Sequence, residues 1–309
     1  MIIRTIVNFT LKRTIRRLWD TPPTVEHMRK TYTAADNLAS FGRKPVAVET
    51  DDIGGTTVEW IGPREKADEG VILYLHGGGF AVRGTLTDWR FCRSLSRILD
   101  RPVVLVPYRL APEFPFPAGL QDCHDVYAGL IATGIPAQRI VFLGHSAGAN
   151  LALVVMMRAR RDGLAQPAGA VLLSAPIDLT ASSPSASTNV EKDSMNRPSI
   201  WPWTWEHYLG GTRRDHPDVS PMFGDWAGLA PLHFHVSSQE LILDDSRRAA
   251  ECARRAGTVA HLSVWNNVPH SFYFMDFLSE ARRCRTEIIG FIHRAFPASS
   301  GASTRPALA

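Results

Sequence analysis

Short, fully apolar runs recur along the middle of this chain, each separated from the next by a stretch with helical spacing. Val71–Leu75, Pro102–Val106, Ile140–Leu143, Ala170–Ser174, Leu232–Val236 and His261–Val264 read as strands. Between them, Thr87–Leu99, Ala118–Ile131, Ala147–Arg160 and Asp245–Ala256 read as helices, and a last helix runs from about Ser279 to Ala295. In 147–160, Leu151, Val154, Val155 and Met156 form a buried face. A strand that alternates apolar and polar residues has one wet face, whereas a run of four to six apolar residues has both faces covered. Such runs alternating with helices predict a mostly parallel sheet with helices on both sides.

Two regions break the rhythm. Residues 1–45 read as helical and precede a hairpin, with strand-like runs Val46–Thr50 and Thr56–Ile61 on either side of Gly54-Gly55. The interval 180–213 is Ser-rich, then carries Trp201, Trp203, Trp205 and Tyr208. Residues 1–45 and 180–213 are expected to form a helical cap on a catalytic domain spanning 46–296. Residues 297–309 are a small-residue tail expected to be disordered. The chain shows no internal repeat.

Composition narrows the function classes. With 309 residues, 45% of them hydrophobic and 21% charged, the chain can bury one large core. The net charge of +4 is mild, and no basic run interleaved with aromatics is built for nucleic acid. Cys92, Cys123, Cys252 and Cys284 match no zinc or C-x-x-C spacing, so free thiols in a reducing cytoplasm are expected. No apolar run reaches the roughly 20 residues of a membrane span. The first 20 residues place Arg4, Lys12, Arg13, Arg16 and Arg17 among Ile3, Ile6, Val7, Leu11, Ile15 and Leu18. That pattern favours a cap helix, with weak contact to an anionic membrane surface as the alternative.

Gly144-His145-Ser146-Ala147-Gly148 is a G-x-S-x-G sequence between a strand and a helix, and His76-Gly77-Gly78-Gly79-Phe80 follows an earlier strand. Together they mark Ser146 as a nucleophile on a tight turn, where a β-carbon at either flanking glycine would collide. The oxyanion donors are then the N–H groups of Ala147, Gly78 and Gly79, while Gly77 and His76 shape the loop. A serine needs a base, and the base needs an orienting acid that lies between the two in sequence. His270 sits in a loop beyond a strand end, where a ligand-facing residue belongs. His233, His235 and His261 lie within strands, and His293 lies in the last helix. In the loop Ser237–Asp245, Glu240 comes nearest the strand end. Asp244 and Asp245 suit the following helix as caps or dipole partners. His145 is read as structural. His233-x-His235 puts two imidazoles on one strand face, but no third metal ligand is evident and buried hydrogen bonding is the reading taken.

These residues resemble the hormone-sensitive-lipase-like family of α/β hydrolases, the bacterial family IV esterases. The resemblance runs from about Val71 to His270. It is carried by His76-Gly-Gly-Gly-Phe80, Tyr108-Arg-Leu-Ala-Pro-Glu113 with Phe114-Pro-Phe-Pro117, Gly144-His-Ser-Ala-Gly148 and Val268-Pro-His270. It implies an α/β-hydrolase fold with a cap built from the N-terminus and from an insertion after the sixth strand. It also implies an acid about thirty residues before the histidine, which selects Glu240 over Asp244, and ester substrates of short to medium acyl length. Lactones and acetylated small molecules fall under the same chemistry, and no cofactor or metal is called for. The chain departs from the family in carrying His145 and Pro107 where an Asp is usual, and Glu240 where the acid is usually Asp. Two other readings remain: a small-molecule receptor on the same scaffold, against which the presence of His270 counts, and a lipase working at a membrane surface. Homodimerisation is left open.

Overall fold

The computed structural model describes residues 2–42 and 44–296, so the expected tail at 297–309 lies outside the described residues. Eight strands form one sheet: β1 (Glu49–Ile53), β2 (Thr56–Ile61), β3 (Val71–Leu75), β4 (Val103–Val106), β5 (Ile140–His145), β6 (Gly169–Leu173), β7 (Leu232–Ser237) and β8 (Ala260–Trp265). Their spatial order is β1-β2-β4-β3-β5-β6-β7-β8. The β1–β2 and β2–β4 pairs are antiparallel, and every later pair is parallel. The helices are α1 (Ile2–Arg13), α2 (Val25–Ser40), α3 (Leu86–Leu99), α4 (Ala118–Ala132), α5 (Ala147–Arg161), α6 (Ser185–Thr188), α7 (Ile200–Tyr208), α8 (Leu243–Arg255) and α9 (Ser279–Ala295).

The apolar runs are continuous because each strand is covered twice. Along β3, Val71, Leu73 and Leu75 face the side that holds Leu120 and Val126 of α4 and Leu151 and Val155 of α5. Ile72 and Tyr74 face Leu95 of α3 and Ile288 of α9. All five β3 residues are buried. Losing one such side chain to alanine costs about 2–5 kcal/mol.

The hairpin forms with its first strand shifted to Glu49–Ile53 from the expected Val46–Thr50. The register pairs Ile53 with Thr56, which leaves Gly54 and Gly55 as a two-residue turn at φ 64° and 78°. That left-handed pair suits glycine and pins the strand after it.

The N-terminal segment and the 180–213 insertion pack on each other. Trp19, Val25 and Met28 surround Trp203, whose indole N–H donates to the Pro23 carbonyl at 2.7 Å. Asp36 on α2 accepts from the N–H groups of Leu86 and Thr87 at the start of α3, at 2.7 and 3.1 Å, satisfying donors that a helix leaves open. Arg29 reaches the Ala81 and Ala111 carbonyls and the Glu113 carboxylate at 2.7–2.9 Å. It thereby joins α2 to the glycine loop and to the Tyr108–Glu113 run. The four cysteines are free, and three of them are buried.

Candidate active site

Ser146 stands between the end of β5 and the start of α5 with φ 51° and ψ −120°, and its N–H donates to the Leu173 carbonyl at 2.8 Å. The strained residue is the serine itself, while the flanking glycines supply room. A β-carbon on Gly148 would lie 2.0 Å from the Leu75 carbonyl oxygen, and one on Gly144 would lie 2.5 Å from the Ala149 Cα. The α5 helix therefore seats directly against the end of β3, where the glycine loop begins. Gly78, Gly79 and Phe80 all have left-handed φ, at 112°, 59° and 63°. The N–H groups of Gly78 and Gly79 make no backbone hydrogen bond among the described residues. Ala147 is the first residue of α5, where an intrahelical acceptor does not exist.

The loops after β7 and β8 bring Glu240 and His270 to the same corner. His270 Nε2 is 3.2 Å from Ser146 Oγ, and its Nδ1 is 2.8 Å from Glu240 Oε2. Glu240 is buried, and its other oxygen accepts from the Ser237 N–H at 2.7 Å and from the Ser174 hydroxyl at 2.9 Å. Burial works against a charged imidazole at His270, but Glu240, by charge and hydrogen bond, outweighs it and raises the His270 pKa above the ordinary value. Asn189 and Asp193, from the insertion, hold the acid's loop. The Asn189 amide donates to the Glu240 carbonyl at 2.9 Å, and Asp193 accepts from the Leu241 N–H at 3.0 Å. Sequence reasoning passed over Ser174, although its place at the end of β6, on the same rim as Ser146, was a usable signal.

A cavity of about 60 Å³ opens beside these groups, lined by Gly79, Ser146, Ala147 and His270 on one side and by Ile200, Trp201 and Leu241 on the other. Of the three clustered tryptophans, only Trp201 lines it. Trp203 packs on Trp19, and Trp205 donates to the Leu179 carbonyl.

The other polar candidates separate cleanly. Asp244 pairs with the exposed Arg247 at 3.0 Å. Asp245 does not cap its helix, because α8 starts earlier, at Leu243. It accepts from the N–H groups of Ile177 and Asp178 at 2.9 and 3.0 Å, tying α8 to the loop after β6. Burial is the main cause that pushes its pKa up to about 7. His76 bonds the Gly77 carbonyl at 2.7 Å and stacks on Tyr108.

His145 fills the space beneath the glycine loop. A β-carbon on Gly77 would meet its ring at 2.6 Å. Its Nε2 is 3.0 Å from Ser271 Oγ, and its Nδ1 is 3.7 Å from Asp88 Oδ1. Burial lowers the His145 pKa despite the nearby acid. Asp88 accepts from Tyr74 and Thr85, so α3 supplies a carboxylate near His145 that positions 107 and 145 do not.

The His233/His235 pair does gain a third neighbour that the sequence left unseen: Glu287 of α9 lies within 4.8 Å of both imidazoles. Hydrogen bonding already engages these atoms. His233 Nε2 meets the Ser263 hydroxyl at 3.0 Å, which donates to Glu287, and the Trp265 indole donates to His235 Nδ1 at 3.2 Å. These bonds reach one nitrogen of each ring, and His233 Nδ1 and His235 Nε2 are buried without a partner among the described residues.

Comparison with known proteins agrees with this architecture. Residues 72–274 match a family described as having the alpha/beta hydrolase fold. An acetyl-hydrolase of Streptomyces hygroscopicus is 33% identical over 261 residues, covering 84% of this chain and 86% of that protein. An esterase of Acinetobacter venetianus is 33% identical over 254 residues, covering 81% and 84%. The crystal structure of an esterase from the bacterial hormone-sensitive lipase family superposes with a TM-score of 0.85 at 32% identity, covering 94% of this chain and 98% of that one. A serine on a strand-to-helix turn under a glycine loop, together with this degree of likeness, makes the chain an ester hydrolase that belongs to the hormone-sensitive-lipase-like, family IV branch of the α/β hydrolases.

Proposed function

We propose that the protein hydrolyses carboxylic esters of short to medium acyl length through a Ser146–His270–Glu240 triad and an acyl-enzyme. The supporting observation is the chain of contacts from Ser146 Oγ through His270 to Glu240, at 3.2 and 2.8 Å, facing a cavity. His270 Nε2 takes the hydroxyl proton as Ser146 Oγ attacks the carbonyl carbon. The tetrahedral oxyanion accepts from Ala147, Gly78 and Gly79, each such donor contributing about 3 kcal/mol to the transition state. His270 then gives its proton to the departing alcohol, and water activated by the same imidazole releases the acid.

Glu240 keeps Nδ1 protonated, so that Nε2 points its lone pair at the serine. The cavity of about 60 Å³ has room for a few waters and favours the short end of the acyl range, acetyl esters and small lactones among them. In this reading residues 1–45 and 180–213 act as a cap on the catalytic domain 46–296. Hydrolysis of a chromogenic short-chain ester by wild type and Ser146→Ala tests it. Loss of activity in the variant, with an acyl adduct on Ser146 in trapped wild type, is expected, and equal rates would overturn it.

A further inference from the structure

Helix α1 is turned opposite to an ordinary surface helix, which buries its apolar stripe. Ile2, Ile3, Ile6 and Phe9 are 74%, 56%, 58% and 54% exposed. The side chain it buries is Asn8, whose amide donates to Asn267 at 3.2 Å and accepts from the Ser194 hydroxyl at 2.9 Å. Arg4 holds the same inner face through the Asn266 carbonyl and Glu280, and Lys12 reaches the Glu191 carbonyl. Polar atoms thus fix the helix to the body, and the spacing 2, 6, 9, 13 leaves Ile2, Ile6, Phe9 and Arg13 on one outward stripe.

Charge selects the occupant. Of the five basic residues before Asp20, Arg4, Lys12 and Arg16 bind the body, Arg13 and Arg17 are exposed, and the Arg13 guanidinium lies 4.2 Å from the centre of the Phe9 ring. An apolar stripe edged by guanidinium groups matches the boundary between acyl chains and anionic headgroups. A second copy is a poor match, because four side chains fall well short of the roughly 800 Å² per partner that a stable interface buries.

We propose that α1 is an interfacial anchor that lays this face of the protein on an anionic lipid surface. The helix rests on Ser194 and Asn267. Ser194 lies beside Asp193 and near Asn196, both of which line the cavity, and Asn267 precedes His270 by three positions. Docking therefore holds the lipid on the outer side of a helix whose inner side contacts neighbours of the cavity-lining residues. That esters dissolved there are the ones presented to Ser146 rests on the function proposed above, whereas the docking does not.

Co-sedimentation of the full chain with phosphatidylcholine vesicles, with and without phosphatidylglycerol, tests the anchor, and hydrolysis of a water-soluble ester is measured in parallel. Wild type is expected to partition about tenfold or more in favour of the anionic vesicles, and added salt is expected to weaken it. The double variant Ile6→Ser/Phe9→Ser should lose that binding while hydrolysing the soluble ester at the wild-type rate, and Arg13→Glu/Arg17→Glu should lose the preference for anionic lipid. Equal vesicle binding by wild type and the serine variant would overturn the proposal. So would wild type that ignores vesicles but sediments as a dimer that the serine variant dissociates. Loss of soluble-ester hydrolysis in wild type would instead count against the function proposed for Ser146 and leave the vesicle result to stand alone.

Discussion

Two serine–histidine–carboxylate trios lie side by side under the glycine loop, and they differ in what surrounds the same three groups. Ser146, His270 and Glu240 make one; Ser271, His145 and Asp88 make the other. The two imidazoles are 5.8 Å apart between ring centres. The hydroxyl distances are alike, at 3.2 and 3.0 Å, but the carboxylate stands at 2.8 Å from His270 and at 3.7 Å from His145. Glu240 lifts the His270 pKa against the cost of burial, whereas burial prevails at His145 and lowers it. Ser146 and His270 line the cavity, and neither Ser271 nor His145 is among its lining residues. The N–H groups of Gly78 and Gly79 make no backbone hydrogen bond among the described residues, and Ala147 next to Ser146 opens α5. A hydroxyl near an imidazole near an acid is therefore a weak criterion for a catalytic centre. In the function proposed above, donors for an oxyanion and room for a substrate are what separate the two trios.

The sharpest way to break this contrast is to remove each hydroxyl. Ser146→Ala is expected to lower kcat by a factor on the order of 10⁵–10⁶, and Ser271→Ala by less than about tenfold. Ester hydrolysis by the two purified variants decides, and comparable losses would erase the distinction. Next come the acids. Glu240→Gln should lower kcat by a factor on the order of 10³–10⁴. It should also move the acid limb of kcat/KM to lower pH. His270 must be neutral to act, Glu240 raises its pKa, and removing that charge lets the imidazole stay neutral further into acid. A pH–rate profile with an unmoved limb would contradict the assignment of Glu240.

Asp88→Asn should leave that limb in place and act on stability instead. It weakens hydrogen bonds from Tyr74 and Thr85 to a buried carboxylate, a loss of about 1.5–3 kcal/mol measurable by denaturant titration. The smallest effect is expected at Asp244→Asn, where a surface pair with Arg247 is removed. Stability should change by less than about 1 kcal/mol and hydrolysis by less than about twofold.

The strands of the parallel sheet were legible because burial on both faces leaves an unbroken apolar run, as in Val71–Leu75 and Ile140–Leu143. The elbow and the glycine loop were legible because close backbone approach excludes every side chain but hydrogen at Gly144 and Gly148. Their places in the loops after two strands, with the family resemblance, pointed to Glu240 and His270, which the fold brings within hydrogen-bonding distance of each other. What the chain order hid were partners made by tertiary packing: Ser174 on Glu240, Asp88 beside His145, and Glu287 beside the His233/His235 pair. Each comes from an element far away in sequence, and nothing local marks it. Asp245 shows the same limit. Its position promised a helix cap or dipole partner, and it does lie in the first turn of α8, but nothing local showed that its carboxylate serves the loop after β6. The start of β1 was misplaced because Val46 and Val48 look like strand, whereas pairing with β2 sets the register from the Gly54-Gly55 turn outward.

The N-terminal segment and the 180–213 insertion are stitched together although 180 or more positions separate the partners. Trp203 bonds the Pro23 carbonyl, Ser199 the Trp19 carbonyl and Ser194 the Asn8 amide oxygen. Recombination that transplanted only one of these stretches from a cousin would inherit half of every stitch. Ser194 and Asn8 are the side-chain pair a chimaera must move together, whereas the Pro23 and Trp19 carbonyls remain acceptors whatever residue carries them.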